Sequence, residues 1–181
     1  MTNQNVSIYA LSIASFWTRL KQLSDTLWES NAMNNLESQD LFDKGYYCAE
    51  GVLMQIAKEN GIESPLIPAI ATGFCAGVSR TSGTCGALSG GILALNVVLG
   101  RRSERESAEG NFNAVKKLVE EFTFQCGTAN CTELLGCDIG TSEGQQHFGK
   151  NALWSRCREF VGKATLITQK LIAESNAVEK A

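Results

Sequence analysis

The side chains best able to do chemistry in this sequence are seven cysteines, Cys48, Cys75, Cys85, Cys126, Cys131, Cys137 and Cys157, beside one histidine, His147. A thiolate is a soft metal ligand and a nucleophile, so this load points to metal or redox chemistry in a reducing compartment, where structural disulfides are rare. The count is odd, which rules out complete pairing into intramolecular bridges. One histidine is too few for a finger-type zinc site, and it reads as a surface residue. The absence of any Cys-x-x-Cys removes a thioredoxin-like motif and a c-type haem attachment site. Four residues separate Cys126 from Cys131 and five separate Cys131 from Cys137, spacings that match neither ferredoxin run. Thiols that cooperate here must be gathered by the fold from separate elements.

Cys85 stands in Ser82-Gly83-Thr84-Cys85-Gly86-Ala87-Leu88-Ser89-Gly90-Gly91, ahead of an apolar run that ends at Gly100. This predicts a helix with Thr84 or Ser82 as N-cap and Cys85 in its first turn, where free N–H groups and the helix dipole favour an anion. A lowered thiol pKa is the expectation at such a place. Each interior glycine costs about 0.5–1 kcal/mol relative to alanine, so Gly86, Gly90 and Gly91 imply the close approach of a neighbouring helix or a cofactor. The plainer reading is tight packing around an inert small residue. No Gly-Lys-Ser/Thr follows, and no Gly-x-Gly-x-x-Gly is present, so neither nucleotide motif applies.

Helical periodicity dominates the rest of the chain. A helix is expected over 39–58, with Leu41, Cys48, Val52 and Ile56 on one face and Asn60-Gly61 closing it. A short helix follows from Pro65 to Phe74. A long helix over 103–124 should bury Phe112, Val115, Val119 and Phe122, with Cys126 extending the stripe and Gly127 ending it. Asn130 caps a single turn from Cys131 to Gly136, and 143–150 reads as loop or frayed helix. The last helix, over 152–175, carries Leu153, Cys157, Phe160, Ala164, Ile167 and Leu171 on one seam. At the N-terminus Tyr9, Ile13, Phe16, Leu20, Leu23 and Leu27 form an amphipathic stripe that docks on the parent domain or forms a dimer seam. The fold class is all-α: a single-domain helical bundle of about five to six helices with an extra N-terminal amphipathic helix. Its divisions are an extension over 1–36, the helical domain over 37–176 and a tail over 177–181.

Sixteen basic and nineteen acidic side chains give a net charge of −3 with no basic block, so no nucleic-acid partner is expected. No apolar run is long enough for a membrane span, and no Lys or Arg precedes Arg19 as in a secretory leader. A cytoplasmic protein is the expectation. A homodimer through helix 6–28 or the glycine-rich helix is the assembly that these faces offer.

Several segments together resemble a family of redox-active proteins named for four cysteines and a Cys-Gly-Ala-x-x-Gly motif. They are Gly45-Tyr46-Tyr47-Cys48-Ala49-Glu50-Gly51-Val52-Leu53, Ala71-Thr72-Gly73-Phe74 with Arg80, and Cys85-Gly86-Ala87-Leu88-Ser89-Gly90. Asn130-Cys131-Thr132-Glu133-Leu134-Leu135-Gly136 and Cys157 ahead of Phe160-Val161 complete the match, which spans 42–171. The resemblance implies that the family's four cysteines fall on Cys48, Cys85, Cys131 and Cys157, leaving Cys75, Cys126 and Cys137 as buried or spare thiols. It also implies a bacterial or archaeal cytoplasmic protein with a redox or metal-cluster role. The same pattern is similar to the iron-sulfur part of split-Soret cytochromes, although this chain has no haem-attachment sequence.

Three functions follow. In the first, Cys48, Cys85, Cys131 and Cys157 bind an iron-sulfur cluster for electron transfer with a redox partner protein. In the second, no metal is needed: Cys85 is the catalytic thiol of a thiol-disulfide protein, and Cys48, Cys131 or Cys157 resolves it. In the third, the same four cysteines hold a structural zinc ion.

Overall fold

Gly45 divides the first helical stretch. It takes φ +103°, a conformation that a continuing right-handed helix cannot use, so the single helix expected over 39–58 is two. These are α1 (Glu37–Asp43) and α2 (Cys48–Glu59), with Cys48 at the first position of α2 rather than in a helix interior. The computed structural model describes residues 36–178. The chain divides into Met1–Asn35 and Leu36–Ala181, and the amphipathic helix expected at 6–28 lies outside the described residues.

Seven more helices follow: α3 (Ala69–Thr72), α4 (Cys75–Arg80), α5 (Gly86–Leu99), α6 (Glu109–Cys126), α7 (Cys131–Leu135), α8 (Ser142–Lys150) and α9 (Trp154–Val178). Among the described residues there is no β-strand, and the fold is an all-α bundle as expected. Short pieces carry the helix number past five to six. The segment over 143–150 is a regular helix, capped by the Thr141 hydroxyl, which accepts from the Gly144 N–H at 3.0 Å. Helix α9 runs through Val178, beyond the boundary expected for a tail.

The core is built by α2, α5, α6 and α9. Val52, Leu53 and Ile56 of α2 meet Leu88 and Leu95 of α5, Leu118 and Phe122 of α6, and Val161 of α9, all fully buried. Each such side chain contributes about 1.5–3 kcal/mol on leaving water. The glycines of α5 are what allow this spacing. A Cβ on Gly90 would lie 2.6 Å from the Ala49 carbonyl oxygen and 2.8 Å from its Cα, so α2 and α5 touch backbone to backbone. Gly91 faces α6 and α9, where a Cβ would meet the side chains of Leu118 and Thr168.

Two expected details of α6 differ. The helix begins at Glu109, not at 103, and Phe112 is 61% exposed; the buried stripe is Asn111, Ala114, Leu118 and Phe122. The Asn111 amide donates to the Leu95 carbonyl at 3.3 Å, so a polar residue takes the inward position beside α5 and turns Phe112 outward. Gly127, at φ +91°, ends the helix as the sequence indicates. The seam of α9 is buried at Phe160, Ala164, Ile167 and Leu171, with Cys157 half-buried at its N-terminal end.

Candidate four-cysteine site

Four elements bring Cys48, Cys85, Cys131 and Cys157 to one cavity of about 310 Å³. Cys48 opens α2, whose start is held by Glu50: one carboxylate oxygen accepts from the Tyr47 N–H at 2.8 Å and the other from the Thr72 hydroxyl at 2.6 Å. Cys85 is itself the N-cap of α5, one residue later than the Thr84 cap expected, and Thr84 instead forms an isolated antiparallel bridge with Asn130. That bridge sets Cys85 and Cys131 side by side. The Cys85 N–H donates to the Ala129 carbonyl at 2.8 Å, and the Cys131 N–H donates to the Gly83 carbonyl at 2.9 Å. The Asn130 amide donates to the Ser82 carbonyl at 2.7 Å, and its oxygen caps α7 by accepting from the Glu133 N–H at 3.1 Å. Cys157 comes from the first turn of α9, where its N–H bonds to the Leu153 carbonyl.

The remaining walls are mostly apolar. Phe42, Phe148 and Trp154 form one side, with ring centroids 5.5 Å apart for Phe42–Trp154 and 4.8 Å for Phe148–Trp154. Trp154 and Phe160 lie three residues before and after Cys157, so helical spacing alone places all three near one face. Phe148 carries no such signal because its segment does not read as a helix. Arg80 is the only charged side chain lining the cavity among the described residues, and it is exposed at the rim. His147 is exposed and does not line it.

A second feature is illegible in the sequence. Within α4, Ala76, Gly77, Val78 and Ser79 have φ between +47° and +62°, and Arg80 follows at +67°, so the chain makes a left-handed turn. Only glycine adopts this conformation freely, and each other residue in it costs about 1–2 kcal/mol. The turn abuts the site: a Cβ on Gly77 would stand 2.6 Å from the Cys131 Cβ, and Ala76 and Arg80 both line the cavity. Strained backbone of this kind gathers at functional sites.

Burial governs Cys85, Cys131 and Cys157. It pushes Cys85 up to about 12; the N–H groups of Ala87 and Leu88 act in the opposite direction, while the charges of Cys131 and Cys157 add to the rise. The lowered pKa expected for Cys85 from its helix terminus is therefore corrected: loss of water outweighs the N–H groups. Burial likewise raises Cys131 to about 11, helped by Cys137 and Asp138, and Cys157 to about 12, helped by Cys131 and opposed by Arg156. Cys126 is raised to about 11 by burial and lies outside the cavity wall, as does Cys137, which burial and Asp138 also push up. Cys75 is buried beside Cys48. All seven cysteines are free, and among the described residues no three Cys, His, Asp or Glu side chains close on a single point fit for one ion. No helix among the described residues is long and apolar enough to cross a membrane.

No curated protein and no solved structure matches the chain. A family model described as "Putative redox-active protein (C_GCAxxG_C_C)" matches residues 46–171, more than half of the chain, and spans all four cavity cysteines. At the motif this chain reads Cys85-Gly86-Ala87-Leu88-Ser89-Gly90, with cysteine ahead of glycine. The chain belongs to that redox-active family.

Proposed function

We propose that Cys48, Cys85, Cys131 and Cys157 hold an iron-sulfur cluster and that the protein carries electrons to or from a redox partner. The observation that carries this reading is that four cysteines dispersed over the sequence line one apolar cavity. A set of soft sulfur donors suits an iron-sulfur centre. Buried thiolates that raise one another's pKa need a compensating cation before they can stay ionised together, and a cluster supplies it. When bound, the cluster supplies reversible uptake of an electron.

The protein's own residues do the rest. The bridge between 82–85 and 129–131 fixes two ligands relative to each other, and the aromatic wall limits water around the sulfurs. Arg80 places a positive charge at the rim. The thiol-disulfide reading centred on Cys85 rests on a lowered thiol pKa, whereas burial raises it to about 12.

Anaerobic incubation of the reduced protein with ferrous iron and sulfide tests the proposal. The product should be brown, with iron and acid-labile sulfide in matching amounts, and serine at Cys85, Cys131 or Cys157 should cut both. Colourless protein without sulfide after this treatment would overturn it.

A further inference from the structure

Cys75 has no place among the four cavity cysteines, yet it lies against one of them. It opens α4, is 3% exposed and does not line the cavity. Its thiol donates to the Ala71 carbonyl at 3.5 Å. Hydrogen bonding to the Cys48 sulfur, then burial, pushes that thiol far up, while the Ala49 and Glu50 N–H groups act the other way. The Cys48 sulfur and the Cys75 backbone both lie against Gly86, at the start of α5. Gly86 closes the pair from the other side: a Cβ there would strike the Cys48 sulfur and come within 3.0 Å of the Cys75 Cα. Cys48 consequently has two neighbourhoods, the ring of cavity cysteines and Cys75.

We propose that Cys48 and Cys75 form a dithiol–disulfide couple, a second redox site beside the cavity, oxidised by peroxides. Access assigns the roles. Cys48 is half-buried and lines a cavity whose rim includes the exposed Tyr47 and Arg80, so a small oxidant reaches it; Cys75 is enclosed in the core and does not line the cavity. The Cys48 sulfur attacks one peroxide oxygen, the O–O bond breaks, and with hydrogen peroxide the thiol proton leaves in a water molecule, giving a sulfenic acid. The Cys75 sulfur then attacks the Cys48 sulfur, the S–O bond breaks, and the hydroxyl leaves with the Cys75 proton as a second water. Two thiols are oxidised to one disulfide and one peroxide is reduced to two waters. The disulfide removes Cys48 from the ring, a consequence that rests on the cluster reading; the couple itself does not.

The test uses the full chain, reduced and free of metal, treated with one equivalent of hydrogen peroxide, alkylated, digested and examined by mass spectrometry. The expected result is one linked species joining the peptides of Cys48 and Cys75. In Cys75→Ser and in Cys75→Ala the linked species should be lost, and dimedone should trap Cys48 as its sulfenic adduct. Linkage of Cys48 to Cys85, Cys131 or Cys157 in the wild type would overturn the proposal, and so would full alkylation of both residues after peroxide. Iron uptake by the reduced protein is measured in parallel. Its failure would remove the cluster reading and leave the linkage result standing.

Discussion

Cys85 occupies a helix N-terminus, the place where a thiolate is ordinarily favoured, and is nevertheless held protonated because burial removes more stabilisation than two N–H groups return. This has a consequence for the metal-free protein. The ordinary thiol value is 9.0, and the folded values are about 12 for Cys85 and Cys157 and about 11 for Cys131. Between those limits the native state binds more protons than the unfolded state, so stability falls as pH rises. The contribution is intact below pH 9 and is lost through the window up to about 12. In reductant without iron, the urea midpoint should decline across that window, and Cys85→Ala should decline less steeply than wild type. Equal slopes would show that this thiol is not a source of the extra bound protons. With a cation bound to the sulfurs the same thiols are held as thiolates, and this alkaline loss should shrink.

Among the elements, the left-handed turn of α4 is the one that local preference argues against most strongly. Val78 is β-branched and sits at φ +47°, and Ala76, Ser79 and Arg80 are no better suited. The turn persists because its surroundings hold it: the Ser79 hydroxyl donates to the Gly73 carbonyl at 2.9 Å, the Gly83 N–H donates to the Gly77 carbonyl at 3.0 Å, and Gly77 presses on Cys131. Gly77→Ala adds a Cβ both at a positive φ and against the Cys131 Cβ, so it should cost about 1–3 kcal/mol. Because the intruding atom meets a cavity cysteine, iron uptake should drop along with the urea midpoint; a variant with unchanged midpoint and uptake would show that the turn does not brace the site. Nothing in Cys75-Ala76-Gly77-Val78-Ser79-Arg80 announces such a turn, because the constraint comes from contacts distant in sequence. By contrast, the Asn130 cap, the Gly127 and Gly136 ends and the close approach at Gly90 are legible, since each follows from local chemistry. The break at Gly45 was legible in principle. Apolar spacing runs smoothly across it and masks the signal of a single glycine.

At the scale of the whole described unit, cavity and core are one construction. Helix α9 packs on α1, α2, α5 and α6 and supplies Cys157, while α2 and α5 make the most extensive helix pair and supply Cys48 and Cys85. Periodicity places Cys48 and Cys157 on inward faces, but that the two meet Cys85 and Cys131 at one cavity is decided by how α9 crosses the others, which no local pattern encodes. A ligand that needs all four sulfurs binds only when α2, α5, α7 and α9 are in place together, so it stabilises the fold against the unfolded chain by mass action. At a free-ligand level about a hundredfold above Kd the gain is about 2.7 kcal/mol, or about 5–10 °C in Tm for a domain of this size. Calorimetry of reconstituted and metal-free protein should therefore show the loaded form melting higher by that order. Cys157→Ser should reduce the difference more than Cys126→Ser, since Cys126 lies outside the cavity wall. Equal Tm for brown and colourless preparations would mean that the bound iron does not bridge these helices, and the shared cavity would then lose its assignment as the cluster site.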